Sequence, residues 1–184
     1  METTVVIPKV KWEVDTVHSE VSFKVKHLMI TNVRGLFKVF GASIYTTGED
    51  FLTTEIEFWI NPSSISTGDE KRDEHLKSAD FFNVAKYKQI SFSGNTFEKT
   101  GKKGEFILHG ELTMKGITKQ IKLDVQFNGL IKDSAGNQKA GFTIKGLINR
   151  NDWGLNWNSP MDTGGMLVSE EVKINCEVPL IKQS

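Results

Sequence analysis

The sequence is short of cysteine, tyrosine and net charge. Its one cysteine, Cys176, excludes an internal disulfide. Cys176 keeps phase with Val172, Ile174 and Val178, which marks it as a small buried hydrophobe. Lys plus Arg equals Asp plus Glu, 23 each, and a chain with no basic surplus is not built around nucleic acid. No apolar run approaches the roughly 20 residues that cross a bilayer, so no integral membrane segment is expected. No basic leader with an apolar stretch is present. A cytoplasmic location is therefore expected, or a periplasmic or secreted one if a leader has been removed. The histidines His18, His27, His75 and His109 are scattered, and no pair has the i, i+4 helical spacing of a metal motif. His18 and Ser19 are neighbours on a strand, so their side chains point to opposite faces. That is poor geometry for a base and its nucleophile. Neither a metal, a cofactor nor enzymatic activity is expected.

What is present is apolar bulk in alternation. The 184 residues are 38% hydrophobic and 25% charged, which suits a single domain with its core over residues 11–180. Phenylalanine supplies 12 of the aromatics against 4 tryptophans and 2 tyrosines. Phe brings bulk without a polar tip, which suits a dry core and a lipid-like ligand equally well. Val21, Phe23 and Val25 share one face, opposite Glu20, Ser22, Lys24 and Lys26. The same period recurs through 52–60, 106–114, 117–127, 140–148 and 166–178. Phe37 and Val39 lie on one phase and Phe40, Ala42 and Ile44 on the other, which predicts a bulge or bend at Phe40–Gly41. About eight strands follow, mostly joined by tight turns and without helices between them. This predicts an all-β antiparallel fold. Long strands in meander order favour an eight-stranded up-and-down β-barrel, and a two-sheet sandwich is the other solution.

One stretch, Ile60–Tyr87, breaks the strand rhythm. Thr67 and Glu70 have the spacing of a capping box, and a helix of about two turns is predicted over Glu70–Ser78. A short helix after the third strand can cover one end of a barrel.

Five segments together resemble the YceI-like family of polyisoprenoid-binding, lipocalin-like proteins. They are Trp12–Asp15 with His18–His27, Val33–Gly41, Ser66–Phe82, Gly110–Thr118 and Asn149–Leu155. The resemblance spans nearly the whole chain. It implies an extended lipocalin-like barrel of eight antiparallel strands, with a helix near its entrance. It also implies an apolar interior able to bind a long-chain isoprenoid lipid, such as a polyprenyl phosphate or an isoprenoid quinone. Many relatives are exported to the periplasm.

The residues that would line such a channel are those on the inward phase. They are Val21, Phe23, Val25, Phe37, Val39, Ile56, Phe58, Phe92, Leu108, Leu112, Leu123, Val125, Phe127, Phe142, Ile144, Ile148 and Val168. An eight-stranded barrel is just wide enough to be filled by side chains or to hold one small ligand, and the apolar phase fits both. Arg72, Asp73 and His75 are candidates for the head group or the gate, since Arg suits phosphate or a quinone oxygen. The plainer role for the three is a cap network that fixes the helix. Trp153 and Trp157 lie in a polar, aromatic loop that could rim the mouth or plug the far end. The expected function is non-enzymatic binding, sequestration or carriage of the lipid, compatible with transient membrane contact and a homodimer. The alternative is a structural or protein-interaction barrel with no physiological lipid.

Overall fold

The computed structural model describes residues 3–184. The predicted alternation appears as eleven strand segments, because two long strands are interrupted midway and a two-residue segment pairs beside the break in the second. The first is split into β1 (Lys9–Val14) and β2 (Glu20–His27). Asp15 makes the corner: its carbonyl accepts the backbone N–H of His18 at 3.2 Å and the Ser19 hydroxyl at 2.6 Å. The second is split into β3 (Thr31–Phe37) and β4 (Phe40–Thr47). There the free backbone N–H groups of Lys38 and Val39 both donate to Ser64 Oγ, at 3.1 and 3.0 Å. The phase switch thus falls at Lys38–Val39, two residues before the predicted Phe40–Gly41 bend.

The chain continues through β5 (Asp50–Ile60), a 3-10 turn over Pro62–Ser64, the two-residue β6 (Ile65–Ser66) and the helix α1 (Glu70–Lys77). Then come β7 (Ile90–Lys99), β8 (Glu105–Met114), β9 (Ile117–Lys132), β10 (Gln138–Asn149) and β11 (Val168–Lys182). Every pairing is antiparallel. β1 pairs with both β4 and β11, which closes the ring, and β2 continues the seam with β11 and β3. Counting each interrupted pair as one stave and leaving aside the two-residue β6, the result is a closed barrel of eight staves, with α1 after the third. Closure leaves no long unpaired edge.

The helix is placed as predicted, but Thr67 is not its cap. Asp69 is, with its Oδ1 accepting the N–H of Arg72 at 3.1 Å. Asp69 immediately precedes the first helical residue, whereas Thr67 stands two positions further out. The Thr67 N–H and hydroxyl donate instead to Asp73 Oδ1, at 2.9 and 2.6 Å. Ser78 ends the helix, its N–H bonded to the carbonyl of His75 at 3.1 Å.

One end of the barrel is filled. Trp12 is fully buried and donates its indole N–H to Thr46 Oγ1 at 3.0 Å. Its ring centroid lies 5.0 Å from Phe51, which packs on Phe127 at 5.6 Å and Phe142 at 5.1 Å. These four rings, from β1, β5, β9 and β10, form an aromatic floor.

Asp15 ties the β1–β2 corner to β10. Its carboxylate lies 2.8 Å from His18 Nδ1 and 3.7 Å from Lys139 Nζ. Burial alone would push its pKa up, but the His18 hydrogen bonds and the charges of His18 and Lys139 hold it below the ordinary value. The folded form is therefore stabilised above the unfolded Asp value of about 3.9, and this contribution disappears as pH falls through the lower folded value. Thermal melts from neutral pH to pH ~2 should show this loss, with a shallower slope in Asp15→Asn. Parallel slopes in the two proteins would refute the assignment.

Candidate functional site: the barrel cavity

Above the floor the barrel is hollow. A cavity of about 550 Å³ runs from the middle layer to the end covered by α1. Val21, Phe23 and Val25 on β2, Phe37 on β3, and Ile56 and Phe58 on β5 line it. So do Phe92 on β7, Leu108 and Leu112 on β8, Leu123 on β9, Ile144 and Ile148 on β10, and Val168 on β11. Their alternation points them inward, and the closed ring brings all eight staves to one space.

Four residues of the predicted lining lie elsewhere. Val39 is 47% exposed on the outside, because the break at Lys38–Val39 restarts the inward phase at Phe40. Val125 and Phe142 point inward but lie lower, around a separate void of about 50 Å³. Phe127 belongs to the floor, where its ring stacks on Phe51 and Phe142 beside a register shift in the β9–β10 pairing. Alternation assigns a face of the sheet and carries no information on depth along the barrel axis.

The in-strand glycines make room that side chains then occupy. A Cβ on Gly110 would stand 2.4 Å from Phe92 Cζ, and one on Gly146 would stand 2.5 Å from Leu123 Cδ2. These glycines let Phe92 and Leu123 lie flat against the wall and keep the bore open.

A YceI-like domain model matches residues 12–180. The chain belongs to the YceI-like family. It is 39% identical over 160 residues to a UPF0312 protein of Staphylococcus aureus strain N315, covering 86% of this chain and 90% of that protein. The crystallised YCEI protein of Campylobacter jejuni is 30% identical, with a TM-score of 0.72 over 100% of this chain and 99% of that one. BcnA of Burkholderia cenocepacia shares the fold at 23% identity, with a TM-score of 0.74 over 90% of this chain and 98% of that one. A polyisoprenoid binding domain from Saccharophagus degradans shares it at 15% identity, with a TM-score of 0.64 over 94% and 98% of the two chains.

In this YceI-like barrel the cavity reaches solvent where exposed Lys26 and Lys71 join its lining. Arg72 and His75 of α1 line the same mouth, together with His27, Thr67 and Leu76. Arg72 donates through Nε to Thr67 Oγ1 at 2.7 Å and through Nη2 to the Thr67 carbonyl at 2.8 Å. His75 Nε2 lies 2.8 Å from Asp80 Oδ2. Asp73 does not line the cavity: both bonds from Thr67 hold its carboxylate in the loop that orients α1. Of the three head-group candidates, Arg72 and His75 therefore face the opening, and Asp73 fixes the helix.

Sequence reasoning left out Arg150 as a lining residue. It is 4% exposed and follows β10 at the mouth. Its guanidinium donates to the backbone carbonyls of Ser169 (2.9 Å), Trp157 (2.9 Å), Val168 (3.4 Å) and Leu155. Burial draws its pKa down, against an opposing pull from Glu170. The only hint in sequence was an arginine just after an inward-phase strand. Trp157 lines the cavity and meets His75 edge-on at 4.6 Å, whereas Trp153 is buried against the Leu112 carbonyl at 2.9 Å. The β2–β3 hairpin tip beside the mouth exposes Leu28, Met29 and Ile30. Leu28 and Met29 both take positive φ, 53° and 61°, a conformation that glycine or asparagine normally supplies.

Cys176 also lines the cavity. Burial pushes its thiol up to about 12, so it stays protonated and unreactive at neutral pH. His18 and His109 each pair with one carboxylate, Asp15 and Glu98, on the outside of the barrel. Among the described residues no helix is long and apolar enough to cross a membrane.

Proposed function

We propose that this YceI-like protein binds the apolar chain of an isoprenoid lipid inside its barrel, and sequesters or carries it without a covalent step. The observation behind this reading is the cavity itself. It is enclosed by hydrocarbon and aromatic side chains, closed by the aromatic floor and open at one end. Its 550 Å³ lies mid-range among sites that enclose a drug-sized ligand, which are roughly 300–1,000 Å³. Each methylene moved from water into such a space is worth about 0.8 kcal/mol, so a chain of several isoprene units binds without strong polar contacts. The likeness in fold to a domain named for polyisoprenoid binding accords with this ligand class. A solid structural barrel, the other reading, has no use for an interior of this size.

The test is direct. Protein purified from cells is extracted with organic solvent and the extract analysed by mass spectrometry. The expected result is an apolar-chain lipid at close to one per protein. A lipid-free extract, combined with no uptake of added polyprenols or quinones, would refute the proposal.

A further inference from the structure

The Lys, Arg and His side chains that line the cavity are Lys26, His27, Lys71, Arg72, His75 and Arg150. All are basic, and among the described residues no Asp or Glu lines it. The chain as a whole has equal numbers of acids and bases, so the segregation at this opening is local. Of the six, only His75 has a carboxylate within 4 Å among the described residues, namely Asp80. Arg72 spends its Nε and one Nη on Thr67 and has no ion pair. The nearest acid in sequence, Asp73, is held by two bonds from Thr67.

Arg150 is the strongest part of this pattern. It is nine-tenths buried, and its hydrogen bonds all end on backbone carbonyls. Carbonyls satisfy N–H groups without cancelling the charge, and a guanidinium keeps its proton under all ordinary conditions. Glu170 acts on it only through space. A buried cation without a counter-ion is costly in a low-dielectric wall, and an anion arriving beside it offsets that cost. The apolar bore below the mouth offers no site to a free hydrated anion, so the anion that fits is one attached to a chain.

Resting on the cavity as a lipid site, we infer that the mouth selects an oxyanion head, phosphate or carboxylate, on an apolar-chain amphiphile. The chain fills the barrel, and the head sits among Lys71, Arg72 and the positive field of Arg150. A neutral quinone or alcohol with the same chain gains only the apolar part of the binding.

The experiment compares head groups at constant chain. Farnesyl phosphate and farnesol, then palmitic acid and hexadecanol, are titrated into the lipid-stripped full chain and followed by calorimetry and by fluorescence of cavity-lining Trp157. The anionic member of at least one pair should bind about tenfold or more tightly, and that margin should shrink with salt. The pair showing the larger margin distinguishes phosphate from carboxylate. Arg72→Gln should remove most of the margin while leaving farnesol binding within about twofold. Because Arg72 also braces Thr67, Lys71→Gln serves as the second variant: the exposed Lys71 side chain makes no hydrogen bond or ion pair among the described residues. Equal binding within both pairs would overturn the head-group inference and leave the cavity reading standing. Failure of all four probes would overturn both. Displacement of farnesyl phosphate by millimolar inorganic phosphate, with farnesol unaffected, would show an anion site uncoupled from the chain and overturn the amphiphile.

Discussion

Leu123→Trp should all but abolish uptake of an apolar chain while leaving the barrel folded. Leu123 lies on β9, and its Cδ2 rests against the backbone of Gly146 on β10. No room exists behind it, so a larger side chain has only the bore to enter. Leu108, its partner across the β8–β9 ladder, is 1% exposed and lines both the main cavity and the small void below it. Leu123 therefore stands near the middle layer, where an indole would fill the deep end of the cavity and leave an apolar chain too little depth to enter. Filling existing space also avoids most of the roughly 1–3 kcal/mol that extra volume costs in a packed core. The expected readings are a loss of uptake of about tenfold or more and a melting temperature within a few degrees of wild type. A folded variant that binds farnesol with unchanged affinity would remove Leu123 from the cavity wall.

The sequence carried the fold further than it carried the site, and the reason is geometric. Period-two alternation reports which side of the sheet a residue faces, and a meander with tight turns restricts how the strands pair. Those two facts leave a barrel and a two-sheet sandwich open; the resemblance to the YceI-like family favours the barrel, and the pairing of β1 with β11 closes it. Depth is a different coordinate. Val125, Phe142 and Ile148 have the same inward sense, yet the first two border the floor and the third the mouth. Their depth depends on register and stave tilt, which no local pattern states. Val39 fails for another reason: a hydroxyl from Ser64, 25 residues away, takes both backbone donors at the break and turns the phase. Arg150 was visible only as a residue in a polar loop. Its role depends on carbonyls from Leu155 to Ser169 folding around it, a contact set created by tertiary structure. The helix shows the reverse. Thr67, Asp69, Arg72 and Asp73 are close in sequence, so their network was legible in outline, although the cap fell on Asp69 rather than Thr67.

The opposite substitution, Trp12→Ala, should separate the two halves of the interior. Trp12 is fully buried, stacks on Phe51 and pairs in register with Ile44 on β4 and Lys182 on β11. It therefore sits on both sides of the seam that closes the barrel. Removing the indole leaves a large hole under Phe51 and takes away the donor to Thr46; the Thr46 hydroxyl still donates to the Gly48 carbonyl at 2.6 Å, so no buried donor is orphaned. The loss is then mainly packing, about 3–5 kcal/mol for a buried Trp→Ala. In a domain of this size that amounts to roughly 10 °C or more of melting temperature. Total stabilities are only about 5–15 kcal/mol, so binding is best measured in the cold, where the variant is still folded. Trp12 does not line the main cavity, so affinity for an apolar chain should stay within about threefold of wild type. The two substitutions thus predict opposite outcomes: Leu123→Trp costs binding and spares stability, and Trp12→Ala costs stability and spares binding. A packed core cannot produce that crossing, because in a filled barrel every inward residue supports the same cooperative unit. If folded Trp12→Ala lost uptake as severely as Leu123→Trp, floor and cavity would be one structure, and the division of the barrel into a filled end and a hollow end would be wrong.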